Sequence, residues 1–402
     1  MSFKHSTGSP VPLGRKYVIA HFGVFLGLAS GCEVGLDSPW NDPEFRDTAI
    51  AVVDNYGVGV AAGYDDTLLA TEVLEGFVES FLAAPGEATM AEARAAWLSA
   101  RALYGETEVF RFYEGPIDGV EGRINAWPLD EAYIDYVVGQ QDAGIISNPD
   151  AYPTIDVATV LAANEALGED TISSGWHALE FLLWGQDLDP EGPGDRPYRD
   201  YIDGPEATAA HADRRRQYIR AVMQALLADL RAVDSEWHES QGLYRRAFVG
   251  GDPKEAVRRM LLGMASLGGD ELAGERITVA FETREQEDEH SCFSDNTHND
   301  LIAGARGIEN VYLGRVRGST GPGISALVAS LDADLDRRLR AQLDRTALVL
   351  ESIPAPFDRS IQAAEGSPAR EAIAASIEAL RVQTEMILEV AELLEVELNI
   401  EA

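Results

Sequence analysis

The chain has 402 residues, and its 46% hydrophobic content supports a globular core and excludes wholesale disorder. Its 68 Asp and Glu residues outnumber 32 Lys and Arg residues and give a formal charge of −36. That balance excludes nucleic acid as a partner and disfavours anionic membrane surfaces, because phosphate contacts need clustered basic side chains. Cations are compatible partners, although solubility alone is sufficient reason for an acidic surface.

The first 31 residues predict a signal peptide. Three basic residues come first, an apolar run covers residues 17–30, and no acidic residue precedes Glu33. The run is shorter than the roughly 20 residues that a membrane-spanning helix needs. Removal of residues 1–31 would delete three positive charges and no negative ones, which changes the formal charge from −36 to −39.

Cys32 follows this segment in the order Leu-Ala-Ser-Gly-Cys, which resembles a bacterial lipobox. We therefore expect Cys32 to be lipidated and the protein to be a lipoprotein of the cell envelope that faces the periplasm. The outer membrane is the expected site of the lipid anchor. Ala29 departs from the usual pattern, in which Leu is common, so a secreted protein cut near the same place is the alternative. Acylation of Cys32 would leave Cys292 without a partner for an intrachain disulfide.

Beyond a tether at residues 32–47, helical periodicity dominates and the alternation typical of strands is rare, so we predict an all-α fold. Apolar residues recur at three- and four-residue steps in seven stretches: 66–84, 90–112, 214–235, 253–267, 272–287, 324–352 and 369–397. A linker rich in Gly, Pro and Asp at 187–205 separates an N-terminal helical bundle at 48–186 from a C-terminal helical bundle at 206–402. The expected architecture is two helical bundles packed together, which is consistent with a duplicated four-helix-bundle unit.

His177 and Glu180 are the first candidate site residues. They lie three residues apart and share one face of a helix that Ser173 or Ser174 can cap and Gly185 can end. The rest of that helix is almost entirely apolar, so the two polar groups need a partner, and a metal ion is one. A satisfied core histidine is the alternative. The H-x-x-E spacing also differs from the H-E-x-x-H of zinc peptidases, because it supplies at most two ligands and no spare base.

Three more segments combine polar groups with structure-breaking residues: 104–118, 127–135 and 290–300. In the last of them Asp295 and His298 are candidate ligands, with capping of the following helix as the alternative role for Asp295. We expect Arg111 to pair with an internal carboxylate rather than with a ligand. Cys292 lies beside an acidic run that opposes thiolate formation, so it is not a candidate nucleophile.

Together these motifs resemble the imelysin-like family. Gly175-x-His177-x-x-Glu180 followed by Phe-Leu-Leu-Trp-Gly is similar to its signature, and the three other segments are similar to its further motifs, in order along most of residues 50–394. The resemblance implies an exported bacterial protein of two helical bundles whose motifs meet near the domain interface. It also implies an association with iron uptake and iron-regulated expression, and some members are described as metallopeptidases that cleave insulin.

Carried over to this chain, the resemblance implies His177 and Glu180 as metal ligands and Glu108, from a neighbouring motif, as a third. It implies a ligand pocket formed by Arg111, Asp118, Trp127, Asp295 and His298. The expected cofactor is a metal ion, iron first and zinc second. The expected partners are iron or an iron-bearing small ligand and an envelope transport component, with membrane contact only through the lipid anchor.

The favoured function is therefore a non-enzymatic protein of iron uptake. One alternative is a metallopeptidase that uses His177 and Glu180 as metal ligands, with the metal activating water. The other is a metal-free binding module of the envelope, in which the same two residues hold the bundles in register.

Overall fold

The computed structural model describes residues 38–189 and 191–399, which belong to one compact unit beginning at Ser38. The predicted signal peptide and Cys32 lie outside the described residues. The α-helices of the described part are α1 (Pro43–Ala83), α2 (Glu87–Thr107), α3 (Glu121–Ile124), α4 (Glu131–Ile134), α5 (Gly144–Ser147), α6 (Val157–Ala163), α7 (Gly175–Trp184), α8 (Ala212–Trp237), α9 (Leu243–Val249), α10 (Pro253–Ser266), α11 (Val279–Thr283), α12 (Thr297–Leu313), α13 (Ile324–Leu331), α14 (Ala333–Glu351), α15 (Phe357–Gln362) and α16 (Pro368–Leu393).

Other regular structure is limited in the described residues. A π-helical segment covers Leu267–Thr278, and 3-10 turns cover Pro39–Asn41, Glu108–Phe110, Tyr198–Tyr201 and Gln286–Asp288. Two short strands, β1 (Arg315–Val316) and β2 (Ser319–Thr320), pair antiparallel. The prediction of an all-α fold is confirmed.

Helix α1 is longer than the sequence pattern indicates. Its 41 residues extend over about 60 Å, whereas the periodicity predicts a helix only from residue 66. Gly57 and Gly63 interrupt the apolar pattern in the sequence, but in the structure they allow other side chains to pack closely against α1. A Cβ atom at Gly57 would lie 2.8 Å from the Val249 side chain, and one at Gly63 would lie 3.1 Å from Thr107.

The prediction of a tether is wrong for residues 38–47. Trp40 is buried in a 3-10 turn, and its indole N–H donates to the backbone oxygen of Leu394 at 2.7 Å. Helix α1 then begins at Pro43, where the Asp42 carboxylate accepts from the backbone N–H of Glu44 at 2.9 Å. Burial of the indole and this cap fix the segment to the folded unit.

Helices α1 and α2 pack along each other and contact helices from both halves of the chain. Helix α8 packs on α1 and α7, helix α12 packs on α2, and helix α14 packs on α16. The segment at 187–205 is partly buried, since Arg196 and Asp200 are both inside the protein. These contacts do not test whether the chain divides into two bundles at residues 187–205. The division into two bundles stays a prediction.

Two predicted helices differ in form from what the structure shows. The stretch at 324–352 is broken between α13 and α14, because the Asp332 carboxylate caps α14 by accepting from the backbone N–H groups of Asp334 and Leu335. The stretch at 272–287 contains the end of the π-helical segment followed by the short α11. No described helix is both long enough and apolar enough to cross a membrane.

Candidate functional site

Helix α7 carries the first two candidate residues, and all ten of its residues are buried. Gly175 begins it with φ of +85°, and a Cβ atom there would lie 2.4 Å from the backbone oxygen of Ile124. Only glycine fits this close approach in this conformation. Ser174 stands at the capping position, but its hydroxyl donates to the backbone oxygen of Arg123 at 2.9 Å. Gly185, with φ of +73°, ends the helix as the sequence predicts.

His177 and Glu180 form a buried pair. The Nδ1 atom of His177 lies 2.9 Å from Oε2 of Glu180, and both side chains are fully buried. The other carboxylate oxygen accepts from the backbone N–H and the hydroxyl of Ser294, at 2.9 and 2.6 Å. Burial lowers the pKa of His177 well below its usual range and raises the pKa of Glu180 to about 8.

The second ring nitrogen of His177 has a different environment. Its Nε2 atom is buried and has no hydrogen-bond partner. The His177 ring packs against Trp127, with ring centroids 4.9 Å apart, and against His290, with centroids 4.7 Å apart. Trp127 is partly exposed. A buried polar atom that lacks a partner is uncommon and costly in a folded protein.

A network of buried charges lies next to this pair. Nδ1 of His290 is 3.2 Å from the Arg101 guanidinium and 3.2 Å from the Asp300 carboxylate, and Arg101 also donates to both oxygens of Asp300. Arg101 and Asn125 then connect these groups to Glu108. Burial lowers the pKa of His290 well below its usual range, and nearby arginines add to that effect.

Glu108, which the resemblance implies as a third metal ligand, is an ionic partner inside this network. Its two oxygens accept from the Arg276 guanidinium at 2.8 and 2.6 Å. Burial opposes ionisation of Glu108, yet Arg276 and Arg101 together outweigh it and lower the pKa to about 2. Glu108 is therefore held by a bidentate pair with Arg276 inside the protein.

The predicted ligand set is therefore incomplete. Among the described residues, no three His, Cys, Asp or Glu side chains are placed to hold a metal ion together. Both oxygens of Glu180 take part in hydrogen bonds, whereas Nε2 of His177 is buried and has no partner. An imidazole with its other nitrogen held by a carboxylate is the usual arrangement of a metal-ligating histidine and its supporting residue, so His177 fits a single ligand position.

The five predicted pocket residues make different contacts, and a shared pocket stays a prediction. Trp127 contacts His177. Arg111 pairs with Glu121 and Glu271 at 3.1 and 3.4 Å, in agreement with the expectation that it binds internal carboxylates.

Asp118, Asp295 and His298 have other surroundings in the structure. Asp118 holds a turn, because its carboxylate accepts from the backbone N–H groups of Phe112 and Gly115. Asp295 does not cap α12, whose capping position belongs to Asn296. His298 lies in the first turn of α12, and its buried Nδ1 has no partner. A cavity of about 530 Å³ between α1, α2 and the β-hairpin is lined by none of the five predicted pocket residues.

Comparison with known proteins identifies the family. Residues 60–387 match the family described as Imelysin, Peptidase M75. The chain belongs to the imelysin family. It is 26% identical to iron-regulated protein A of Synechococcus elongatus over 352 residues. The aligned region covers 83% of this chain and 82% of the relative.

Two solved structures share the imelysin fold of this chain. One, provisionally described as an iron-regulated protein A precursor from Parabacteroides distasonis, has a TM-score of 0.65 at 21% identity and covers 85% of this chain and 95% of its own. The other, an imelysin-like protein from Psychrobacter arcticum, has a TM-score of 0.63 at 14% identity and covers 88% and 98%.

Four residues around the His177–Glu180 pair and its charge network are not predicted by the sequence. Ser294, His290 and Asp300 lie inside the segment of residues 290–300, but their residue types alone do not indicate their partners. Arg101 shares a helical face with Trp97 and is fully buried. A charged residue within an apolar helical face is the signal that could have identified it.

Proposed function

We propose that this protein binds iron, or a small ligand that carries iron, in the bacterial envelope, with His177 as the protein's ligand. The observation that carries the proposal is the buried Nε2 atom of His177, which has no partner while Nδ1 is held by Glu180. Glu180 is in turn positioned by Ser294. Iron accepts imidazole ligands readily, and a relative of this chain is named for its regulation by iron.

An iron-bearing small ligand suits the site better than a bare ion. The described residues offer one free imidazole nitrogen and no group of three protein ligands. Donor atoms of a chelating ligand would then complete the coordination of the metal. Access to His177 would pass Trp127, the partly exposed ring that packs on it.

The proposed location follows from the first 32 residues. A signal peptide and a lipidated Cys32 would place the folded unit in the envelope, facing the periplasm. The formal charge of −36 favours local enrichment of cations, but it does not select one cation over another.

The test is an iron titration of the full chain with ferrous iron under anaerobic conditions and with ferric citrate. Elemental analysis after gel filtration gives the iron content per chain. We expect about one iron per wild-type chain and at least about tenfold weaker binding by His177→Ala. His238→Ala is the matched control, because that histidine is exposed.

Retention of wild-type iron binding by a folded His177→Ala protein would overturn the proposal. A folded state is checked by circular dichroism and by the thermal unfolding temperature of each variant. Loss of iron binding in His238→Ala to the same extent would also overturn it, because the metal would then be bound by surface groups.

A metal-free structural role is the second candidate, and the Glu180–Ser294 contact favours it. This contact joins residues 114 positions apart and so fixes α7 to the segment before α12. Under this role, His177→Ala would lower thermal stability strongly, and iron would leave the unfolding temperature of the wild type unchanged. The peptidase alternative is less favoured, because His177 and Glu180 are fully buried and a peptide chain would have to reach them.

A further inference from the structure

A cavity of about 530 Å³ lies between α1, α2, α12 and the β-hairpin formed by β1 and β2. We call it the hairpin cavity. Its volume is in the range of protein sites that bind small molecules. Neither His177 nor Glu180 lines it, so its walls differ from those of the site described above. The buried apolar side chains in its wall are Val52, Tyr56, Phe110, Met260 and Val311.

Gly59 opens the hairpin cavity along α1. A glycine inside a helix is destabilising relative to alanine, so a reason for its presence is expected. Gly57 and Gly63 have such a reason, since an added Cβ atom would lie 2.8 or 3.1 Å from another side chain. Among the described residues, an added Cβ atom at Gly59 would meet only Val316 of the hairpin, at 3.4 Å. Close packing therefore does not require Gly59, and the missing side chain leaves open space in the cavity.

The two arginines that line the hairpin cavity are already neutralised. Arg317 donates to the two oxygens of Asp66 at 3.0 and 2.8 Å, and it also binds Asp65. Arg315 binds Glu309 at 2.8 Å. Because carboxylates of the protein already hold both guanidinium groups, the cavity offers an anionic ligand no positive charge that lacks a partner.

Glu106, which also lines the hairpin cavity, is held less firmly than these arginines. Its carboxylate contacts Arg306 at 3.3 Å and Asn310 at 3.2 Å. The side chain of Arg306 is 54% exposed and that of Glu106 is 30% exposed, so water weakens their attraction. A positive group of a ligand can therefore compete for Glu106 from within the cavity.

We propose that the hairpin cavity binds a small amphipathic amine, a molecule with an aromatic or apolar body and a protonated amino group. The body packs on the apolar wall, where the rings of Tyr56 and Phe110 lie edge to face with centroids 5.5 Å apart. The ammonium group pairs with Glu106, which is partly exposed. The proposal does not rest on the proposed iron function, because it uses different side chains and needs no metal.

The experiment is a fluorescence titration of the full chain with dansylcadaverine, an aromatic dye that carries an aliphatic amine. We expect saturable binding of about one dye per chain, with the rise in emission that follows burial of the dansyl ring. Anilinonaphthalene sulfonate, an aromatic dye with a negative charge, is the comparison and should bind at least about fivefold more weakly. Absence of saturable binding of the amine dye, or equal affinity for both dyes, overturns the proposal.

Two glycine variants test whether the dye binds in the hairpin cavity. Gly59→Leu places a branched side chain in the cavity, so we expect at least about tenfold weaker binding of dansylcadaverine. Gly76→Leu is the matched control in the same helix, because an added Cβ atom there meets nothing within 4 Å. Both variants should unfold at or above the temperature of the wild type, since leucine favours a helix more than glycine does. Wild-type dye affinity in the folded Gly59→Leu protein overturns the proposal.

A charge variant tests the amine separately from the shape of the cavity. Glu106→Gln keeps the size of the side chain and removes its charge, so it should bind dansylcadaverine about fivefold more weakly and the anionic dye no more weakly. Glu378→Gln, which removes an exposed carboxylate of α16, is the matched control. His177→Ala should keep the wild-type affinity for dansylcadaverine, so this test and the iron test fail independently. Equal affinity of Glu106→Gln and the wild type for the amine dye overturns the assignment of an amine ligand.

Discussion

Ser294 donates its backbone N–H and its hydroxyl to the same oxygen of Glu180, at 2.9 and 2.6 Å. This contact connects α7 with a segment 114 residues later in the chain. It fixes the Glu180 carboxylate so that its second oxygen faces Nδ1 of His177 at 2.9 Å. The orientation of the His177 ring, and so the position of its free Nε2 atom, therefore depends on Ser294.

Replacing Ser294 tests this dependence. Ser294→Ala removes the hydroxyl donor and keeps the backbone N–H, so we expect a loss of about 1–2 kcal/mol in the free energy of unfolding. Chemical denaturation measures this loss. Ser352→Ala is the control, since that exposed hydroxyl donates only to a nearby backbone oxygen. Equal stability of the two variants would contradict a positioning role for Ser294.

Alanine substitutions at two glycines, one at the start of α7 and one in α1, should have opposite effects on stability. Gly175→Ala would force a Cβ atom to 2.4 Å from the backbone oxygen of Ile124 at φ of +85°, so we expect destabilisation by about 3 kcal/mol. Gly76→Ala is the matched control in α1, where an added Cβ meets nothing within 4 Å. That variant should gain about 0.5–1 kcal/mol. Thermal unfolding of both proteins would show shifts of opposite sign.

The charge network allows a test of what Glu108 does. Glu108→Gln leaves Arg276 buried without its anionic partner, and we expect a loss of about 3–5 kcal/mol in the free energy of unfolding. The exposed pair of Glu72 and Arg231 provides the control, and Glu72→Gln should cost less than about 1 kcal/mol. Denaturant titrations compare the two variants. A small effect of Glu108→Gln on stability, with a large effect on iron content, would restore Glu108 as a ligand.

The sequence was sufficient for the fold class and for the α7 pair, but not for the partners of that pair. Periodicity predicts helices well where one face is buried, and it fails at Gly57 and Gly63, where glycine permits close packing. The family motifs locate His177 and Glu180. Neither signal can show that Arg101 meets Asp300 across 199 residues, because that contact depends on the tertiary packing of α2 on α12.

The same limit applies to Glu108, because its partners cannot be identified from the sequence. Proximity of motifs in a family signature suggests a shared site, yet the choice between a metal and an arginine depends on Arg276. That residue lies in the π-helical segment, where the usual helical spacing no longer predicts which side chains share a face. The partners of a buried carboxylate therefore had to come from the structure.

The partly buried Glu131 should contribute to the pH dependence of stability. One of its oxygens accepts from Gln186 at 3.1 Å and the other has no partner. Burial, and then the charge of Glu287, raise its pKa from 4.5 to about 7. Between pH 4.5 and about 7, Glu131 therefore keeps its proton in the folded state but has lost it in the unfolded state. The free energy of unfolding should fall as the pH rises through this range.

Glu131→Gln should remove this part of the pH dependence. We expect the variant to gain about 1 kcal/mol over the wild type at pH 8 and nothing at pH 4, after a discount for screening by solvent. Urea denaturation at a series of pH values measures both curves. Glu239→Gln, which removes an exposed carboxylate, should keep the wild-type profile. Parallel curves for Glu131→Gln and the wild type would mean that Glu131 ionises alike in the folded and unfolded chains.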